Sequence, residues 1–401
     1  MQKPPFEVAD VIRDLAGADG AVPGLRVSQA QQRVLSNLAA CRTAKLGGHV
    51  DTCDACGEVR VSYNSCRNRH CPKCQAQQRA KWLEARCEDL LPIQYFHVVF
   101  TLPAELAPLA LQNKRSVYNA LFVAAADTLK IIGADPKHLG ADLGFIAVLH
   151  TWGQTLVHHP HLHCVIPGGG LSPDGTRWIS CRKDFFLPVR VLSRLYRGKL
   201  LAALRAAFDD GELEFHGALG ELADPKHFAQ FCNRLREKEW VVYSKPPFGG
   251  PEQVLKYLAR YTHRVAIANH RLTAVGDGSV SFRYKDYAHG NRQRIMKLDD
   301  VEFLRRFLQH VLPDRFVRIR HFGFLANRSR KKKLPLCRKL IDRVVDDDIN
   351  PVEIAASLET INDDRAQCPK CRAGTMRCTE SFDRQPTWSY TPRAIAFLDT
   401  S

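Results

Sequence analysis

The sequence predicts an α+β protein, a central antiparallel sheet with flanking helices, preceded by a cysteine-rich amino-terminal module. Short β-rich runs at 93–102, 144–152 and 158–166 are set among long helical stretches. Cysteine and histidine crowd abruptly into residues 41–74, where small metal-stapled modules have their ligands. At 401 residues and 45% hydrophobic content, the chain has room for two or three domains with real cores.

Charge narrows the partner. The 58 Lys and Arg against 42 Asp and Glu give a net charge of +16, a balance that suits a polyphosphate, and nucleic acid first among these. No run approaches the roughly 18 apolar residues that span a bilayer, and Met1-Gln2-Lys3-Pro4-Pro5 lacks a signal-peptide core, so the expected setting is a cytoplasm with no membrane association. Disulfides are disfavoured there. Of the 14 cysteines, ten lie in 41–87 and 368–378, and they read as metal ligands.

Taken in order, residues 6–46 are helical, with Val8, Val11, Ile12 and Leu15, then Val34, Leu35 and Leu38, at helical spacing. Cys53-x-x-Cys56 and Cys71-x-x-Cys74 follow, two knuckles whose thiolates suit a tetrahedral structural zinc. Cys41, His49, Cys66 and His70 remain and permit a second zinc in a cross-braced module. Arg60, Arg67, Arg69, Lys73, Arg79, Lys81 and Arg86 are interleaved, as phosphate contacts or a solvated basic face would be.

Ile93–Leu102 reads as a strand ended by Pro103, helices follow to about Lys137, and Gly144–Trp152 is a buried strand. The next strand, His158-His159-Pro160-His161-Leu162-His163-Cys164-Val165-Ile166, runs antiparallel to it and closes on Pro167-Gly168-Gly169-Gly170. Strand alternation puts His161 and His163 on one face and Leu162 and Cys164 on the other, so two imidazoles make half of a metal site. Gln154, just before, is placed to complete it, with His159 as competitor.

A Leu- and Arg-rich helical insertion spans 184–238, and Lys238–Tyr243 resumes the sheet. Lys256–Arg264 reads as helix after Pro251, with Tyr257 and Tyr261 one turn apart on one face. Arg260 and Arg264 lie three residues on from each. Strands are expected at Val280–Lys285 and Phe316–Arg320. Residues 312–333 hold eight Lys or Arg and one acid, Asp314, ending in Arg328, Arg330, Lys331, Lys332 and Lys333; DNA-backbone binding fits that cluster. Asp346-Asp347-Asp348 marks a linker. Beyond it Cys368, Cys371 and Cys378 suggest another knuckle with no evident fourth ligand.

Paired histidines and helical tyrosines together form an apparatus for cutting DNA. A divalent ion held by imidazoles polarises the scissile phosphate, and a phenol, poor as a nucleophile at its ordinary pKa near 10, attacks once a metal or cation offsets its charge. At these residues the chain resembles the HUH-endonuclease superfamily, and within it the two-tyrosine transposases of insertion sequences of the ninety-one type, relatives of Helitron transposases. The resemblance rests on His161-Leu162-His163, on Tyr257 and Tyr261, on Cys66-Arg67-Asn68-Arg69-His70-Cys71-Pro72-Lys73-Cys74, and on Phe100-Thr101-Leu102-Pro103, and covers residues 40–335.

The resemblance implies a ferredoxin-like sheet with the histidine pair on a central strand and the tyrosine helix alongside. It further implies nicking of single-stranded DNA, a 5′-phosphotyrosine intermediate, and strand transfer with Mg²⁺ or Mn²⁺ as catalytic ion. The expected division is a helical and zinc-binding module over 1–90, a catalytic domain over 91–325, and a basic linker with a small carboxyl-terminal segment over 326–401. A rolling-circle initiator or relaxase would share the chemistry, but the zinc module and the lack of a helicase motif favour the transposase. A zinc-dependent hydrolase would leave the tyrosines idle, and a non-enzymatic zinc DNA-binding protein would use neither motif.

Overall fold

The computed structural model describes residues 4–16, 22–75, 89–245, 266–287, 289–345 and 367–384. Helix α1 (Val8–Leu15) opens on a capping box between Glu7 and Asp10, and α2 (Gln29–Ala40) on one between Ser28 and Gln31. Each buries the stripe its spacing dictates: Val8, Val11 and Ile12 on α1, and Val34, Leu35 and Leu38 on α2. The hairpin β1 (Gly48–Cys53) and β2 (Val59–Tyr63) precedes β3 (Tyr95–Thr101), the short α3 (Ala107–Gln112) and the long α4 (Lys114–Ala134). A second hairpin, β4 (Phe145–Trp152) and β5 (His158–Pro167), leads through β6 (Gly169–Leu171) and β7 (Trp178–Ser180) to α5 (Val189–Asp209), α6 (Pro225–Glu237) and β8 (Val242–Lys245). The chain then forms β9 (Leu272–Gly276), β10 (Ser279–Asp286), β11 (Arg292–Asp299), α7 (Asp300–Gln309), β12 (Ile319–Phe322), α8 (Asn327–Val345) and β13 (Met376–Phe382).

The main sheet has the order β12-β4-β5-β3-β8, antiparallel at every pairing, so the histidine strand β5 lies at its centre. The fold is α+β, as expected. One face, carrying Phe96, Val98, Phe100, Leu162, Cys164 and Ile166, packs under α4, α5 and α6 in the largest core. Among the described residues α4 alone has the length and apolarity to cross a membrane; 67% of its apolar window is buried here, which is how a core helix reads. On the opposite face Tyr95, Ile146, Val148 and Val165 are covered by Leu334, Cys337, Leu340 and Ile341 of α8. The other end of that face holds histidines.

The glycines closing β5 are there for contact. A Cβ on Gly169 would stand 2.5 Å from the Ile179 carbonyl oxygen, and one on Gly170 would stand 2.4 Å from that of Asp142, so the chain can cross its neighbours only without a side chain.

Two smaller units complete the architecture. The three-stranded sheet β11-β10-β9 and α7 share one core with α1, α2 and the thiols of Cys41, Cys71 and Cys74, so the amino-terminal helices and those cysteines pack together on residues 266–311. In the second, β13 pairs with β1 and β1 with β2, joining residues 48–63 to 376–382 in one ribbon. The expected basic linker at 326 is also corrected: residues 327–345 are helical despite Pro335, because Leu334, Cys337, Leu340 and Ile341 recur on one face and bury against the sheet.

Candidate metal centres

The cysteines form two quartets, and the pairing differs from the expected one. Cys41, Cys66, Cys71 and Cys74 make the first, with Cys41 Sγ 3.6 Å from the sulfurs of both Cys71 and Cys74, and Cys66 Sγ 3.7 Å from that of Cys74. Cys53, Cys56, Cys368 and Cys371 make the second, with 3.7 Å between Cys53 and Cys371 and between Cys56 and Cys368. Four sulfurs at the usual Zn–S length sit about 3.8 Å apart along a tetrahedral edge, so both sets fit structural zinc. The Cys66 backbone N–H donates to Cys41 Sγ at 3.5 Å and that of Gly374 to Cys371 Sγ at 3.3 Å, bonds that stabilise thiolate. Hydrogen bonds from Cys66 and Cys71 already hold the Cys41 thiol down to about 7.

The expected set Cys53, Cys56, Cys71 and Cys74 is thus split. The β1–β2 hairpin carries the first knuckle to its own tip, where the segment leading into β13 brings Cys368 and Cys371. Neither expected histidine joins a cluster. His49 Nε2 lies 3.5 Å from Asp51 Oδ2, and His70 Nε2 accepts from the Leu312 N–H at 3.2 Å while its Nδ1–H donates to Asn68 Oδ1 at 3.0 Å. Burial and the nearby Arg69, Arg318 and Lys114 charges push His70 down to about 3, so it remains a neutral structural link.

Much of the interleaved basic charge faces inward. Arg69 donates to the Phe316 and Pro313 carbonyls at 2.6 Å each, Arg60 pairs with Asp51 at 3.2 Å, and Lys73 pairs with Glu7. Arg69 and Lys73 tie the module to distant segments, and Arg60 braces the β1–β2 hairpin internally; Arg79, Lys81 and Arg86 lie outside the described residues.

The third cluster is on the central sheet. Nitrogens of His150, His161 and His163 lie within 4.8 Å of one another, His150 directly across from His161 on β4. His161 Nδ1–H donates to the His159 carbonyl at 2.7 Å, which leaves Nε2 as the nitrogen His161 could offer to an ion. His163 Nδ1 is 2.8 Å from His97 Nε2 on β3, so Nε2 is the nitrogen His163 can offer. Burial pushes the His161 imidazole down to about 4, leaving it neutral, the form that ligates. His158, first of the histidine run, points the other way and sits 2.8 Å from the Tyr118 hydroxyl, which belongs to the core.

The sequence offered Gln154 or His159 beside the histidine pair, and the structure brings a residue not expected there, His150, within reach of both. Trp152 pairs with His158, and an unbroken register from there would set His150 against Pro160, on the face away from His161. A one-residue bulge between His150 and Trp152 shifts the register and turns His150 to the metal side. Gln154 sits in the β4–β5 turn, where its backbone carbonyl accepts from Arg271 at 2.6 Å. Tyr257, Tyr261, Arg260 and Arg264 lie outside the described residues.

Arg328, Lys331, Lys332 and Lys333 are exposed on the first two turns of α8, while Arg330 pairs with Asp89 at 3.0 Å. Cations at a helix amino terminus oppose the macrodipole, so an anion there relieves the charge.

Known proteins place these features. Residues 144–333, which hold the histidine strand, match the family model described as "Putative transposase", and residues 18–102 match the "Transposase zinc-binding domain". The chain is 55% identical over 381 residues to "Putative transposase y4qJ" of Sinorhizobium fredii, an alignment covering 94% of this chain and 96% of the relative. It is 29% identical over 317 residues to the transposase for insertion sequence element IS801 of Pseudomonas savastanoi pv. phaseolicola, covering 75% and 72%. The chain belongs to the transposase family of insertion sequences of the ninety-one type.

Proposed function

We propose that this transposase nicks and rejoins single-stranded DNA through a 5′-phosphotyrosine intermediate, moving an insertion sequence by a rolling-circle or peel-and-paste route in a bacterial cytoplasm. The observation that carries the reading is the three-histidine cluster, His150 and His163 buried and His161 half-buried, on the central strand of the sheet and its neighbour. A divalent ion there would polarise the scissile phosphate and offset its developing charge. The oxygen of Tyr257 or Tyr261 attacks phosphorus, the bond to the 3′ oxygen breaks, and that oxygen takes a proton to leave a free 3′-hydroxyl. Arg260 and Arg264 balance charge on the attacking phenolate. Domain roles follow: zinc-stapled units frame a catalytic sheet.

Of Mg²⁺ and Mn²⁺, three imidazoles suit Mn²⁺, because Mg²⁺ prefers oxygen ligands and gives up water reluctantly. Labelled single-stranded oligonucleotide incubated with protein and divalent ion should give a covalent adduct on a denaturing gel, more with Mn²⁺ than with Mg²⁺. His150→Ala should raise the Mn²⁺ needed for half-maximal adduct by roughly 10–100-fold, with recovery at high Mn²⁺. Adduct formation with no divalent ion would end the reading.

The exposed cations of α8 suit the phosphate backbone of the same strand. Replacing Arg328, Lys331, Lys332 and Lys333 by alanine should weaken binding across sequences and flatten the slope of log K against log salt by about three, close to 0.7 per contact on a single strand. An unchanged slope would assign the cluster elsewhere.

A further inference from the structure

Beyond Phe282, where pairing with β9 ends, β10 and β11 continue alone as a two-stranded ribbon in which Arg283–Asp286 pair with Arg292–Ile295. The four residue pairs run roughly 13 Å, the second of them still touching the core through Tyr284. The ribbon is basic on both faces. Arg283 and Lys285 alternate outward beside Gln293 and Ile295, with Lys297 further down, while Arg292 and Arg294 share the other face with Tyr284. Its acid, Asp286, is held by Arg294 at 3.3 Å and His289 at 2.9 Å. Among the described residues no carboxylate pairs with Arg283, Lys285, Arg292 or Lys297. Two apolar side chains, Tyr287 and Ile295, are 61% and 65% exposed among those cations.

We infer that the β10–β11 ribbon is a second DNA contact, one that enters the major groove of duplex DNA. Shape and charge decide the partner. A single strand is gripped in a basic channel with aromatic platforms, whereas this element is a two-stranded ribbon, and its exposed aromatic ring, Tyr287, already has the Lys285 ammonium 5.4 Å from its centre. A groove about 12 Å wide and 8.5 Å deep admits a two-stranded ribbon, with phosphates along both walls to meet cations on both faces. Arg292, Arg283 and Gln293 are side-chain types that bond guanine and adenine edges, and Ile295 suits a thymine methyl.

The ribbon is braced on the catalytic end of the main sheet. Arg271, at the base of β9, donates to the Gln154 carbonyl at 2.6 Å, and Arg306 of α7 donates to that of Thr155 at 3.1 Å, both in the turn joining the strands of His150 and His161. Duplex held by the ribbon is thereby set beside the cluster where the single strand reacts. The inference takes from the proposed function only that the partner is DNA.

The test is binding, which needs no cleavage. The full zinc-loaded chain is titrated by fluorescence anisotropy against a 20-base-pair duplex carrying a single-stranded tail, and against the tail alone. The variant R283A/K285A/R292A, altered only at exposed side chains, should bind the tailed duplex at least 10-fold more weakly near physiological salt. Its salt slope should fall by about three, and its affinity for the tail should stay unchanged. K285E and R292E, each alone, should give the same duplex-selective loss. Equal loss on both DNAs, or loss on neither, overturns the inference whether or not the protein nicks.

Discussion

Replacing Cys368 and Cys371 by serine should lower the zinc content of the full chain from two ions to one and unravel the ribbon of β13, β1 and β2. The second quartet draws half its ligands from each end of the sequence, and two thiolates cannot hold the ion in a tetrahedral site. The ribbon has little else to hold it. Its buried cluster is Cys53, Cys368 and Met376, with Cys371 against them, while Val59, Val61 and Tyr63 of β2 face solvent. Structural zinc binds zinc-finger peptides with about 10–16 kcal/mol at neutral pH, more than so small a core can supply. Elemental analysis gives the stoichiometry, and hydrogen exchange over residues 48–63 should show protection lost although the substitutions lie more than 300 residues away. The first quartet should keep its ion. His49→Ala and His70→Ala should each leave both ions in place, although His70→Ala costs stability by leaving the Leu312 N–H without its acceptor. Two ions retained without Cys368 and Cys371, or one lost with either histidine, would return the ligands to the pairing that spacing alone suggested.

Spacing identified the ligands and mispaired them for a physical reason. A Cys-x-x-Cys knuckle announces a corner of a tetrahedron, but which corners meet is decided by strand pairing, and β1 pairs with a strand over 300 residues away. Local pattern worked where burial is local: the period of α1 and α2, the strands at 95–101 and 145–152, and the face shared by His161 and His163 all follow from side-chain periodicity. It failed at His150, because the bulge, marked in the sequence only by Pro160 inside the strand run, reverses every face beyond it. It also misjudged charge. Arg69, Arg318 and Arg320 look like DNA contacts in the sequence, but Arg69 serves buried carbonyls, Arg318 bonds Gln75 at 3.2 Å, and Arg320 stacks 4.1 Å from the Phe122 ring centre. A guanidinium on a long stem anchors loops as readily as it meets phosphate.

Replacing both Tyr257 and Tyr261 by phenylalanine should abolish covalent adduct altogether, while either single replacement should leave nicking and remove strand transfer. Cutting and resealing one strand needs a single nucleophile, since the phenol that attacks is the leaving group when the 3′-hydroxyl returns. Moving a strand needs more, because a second 5′ end must be taken up while the first is still held. On the helix that the sequence spacing predicts, two phenols one turn apart would lie roughly 6 Å apart at Cβ, close enough to alternate at one site. Phenylalanine keeps the ring and removes only the oxygen, so packing is conserved and the loss reports chemistry. Adduct on a labelled oligonucleotide measures the first step, and a transposition count in cells measures the second. A single variant should retain the first within about 10-fold and drop the second by at least 100-fold, roughly a 3 kcal/mol loss at the transfer step. Adduct in the double variant would move the nucleophile elsewhere in the chain. Full transposition in either single variant would show that one tyrosine suffices, leaving this protein a nickase whose second phenol merely packs.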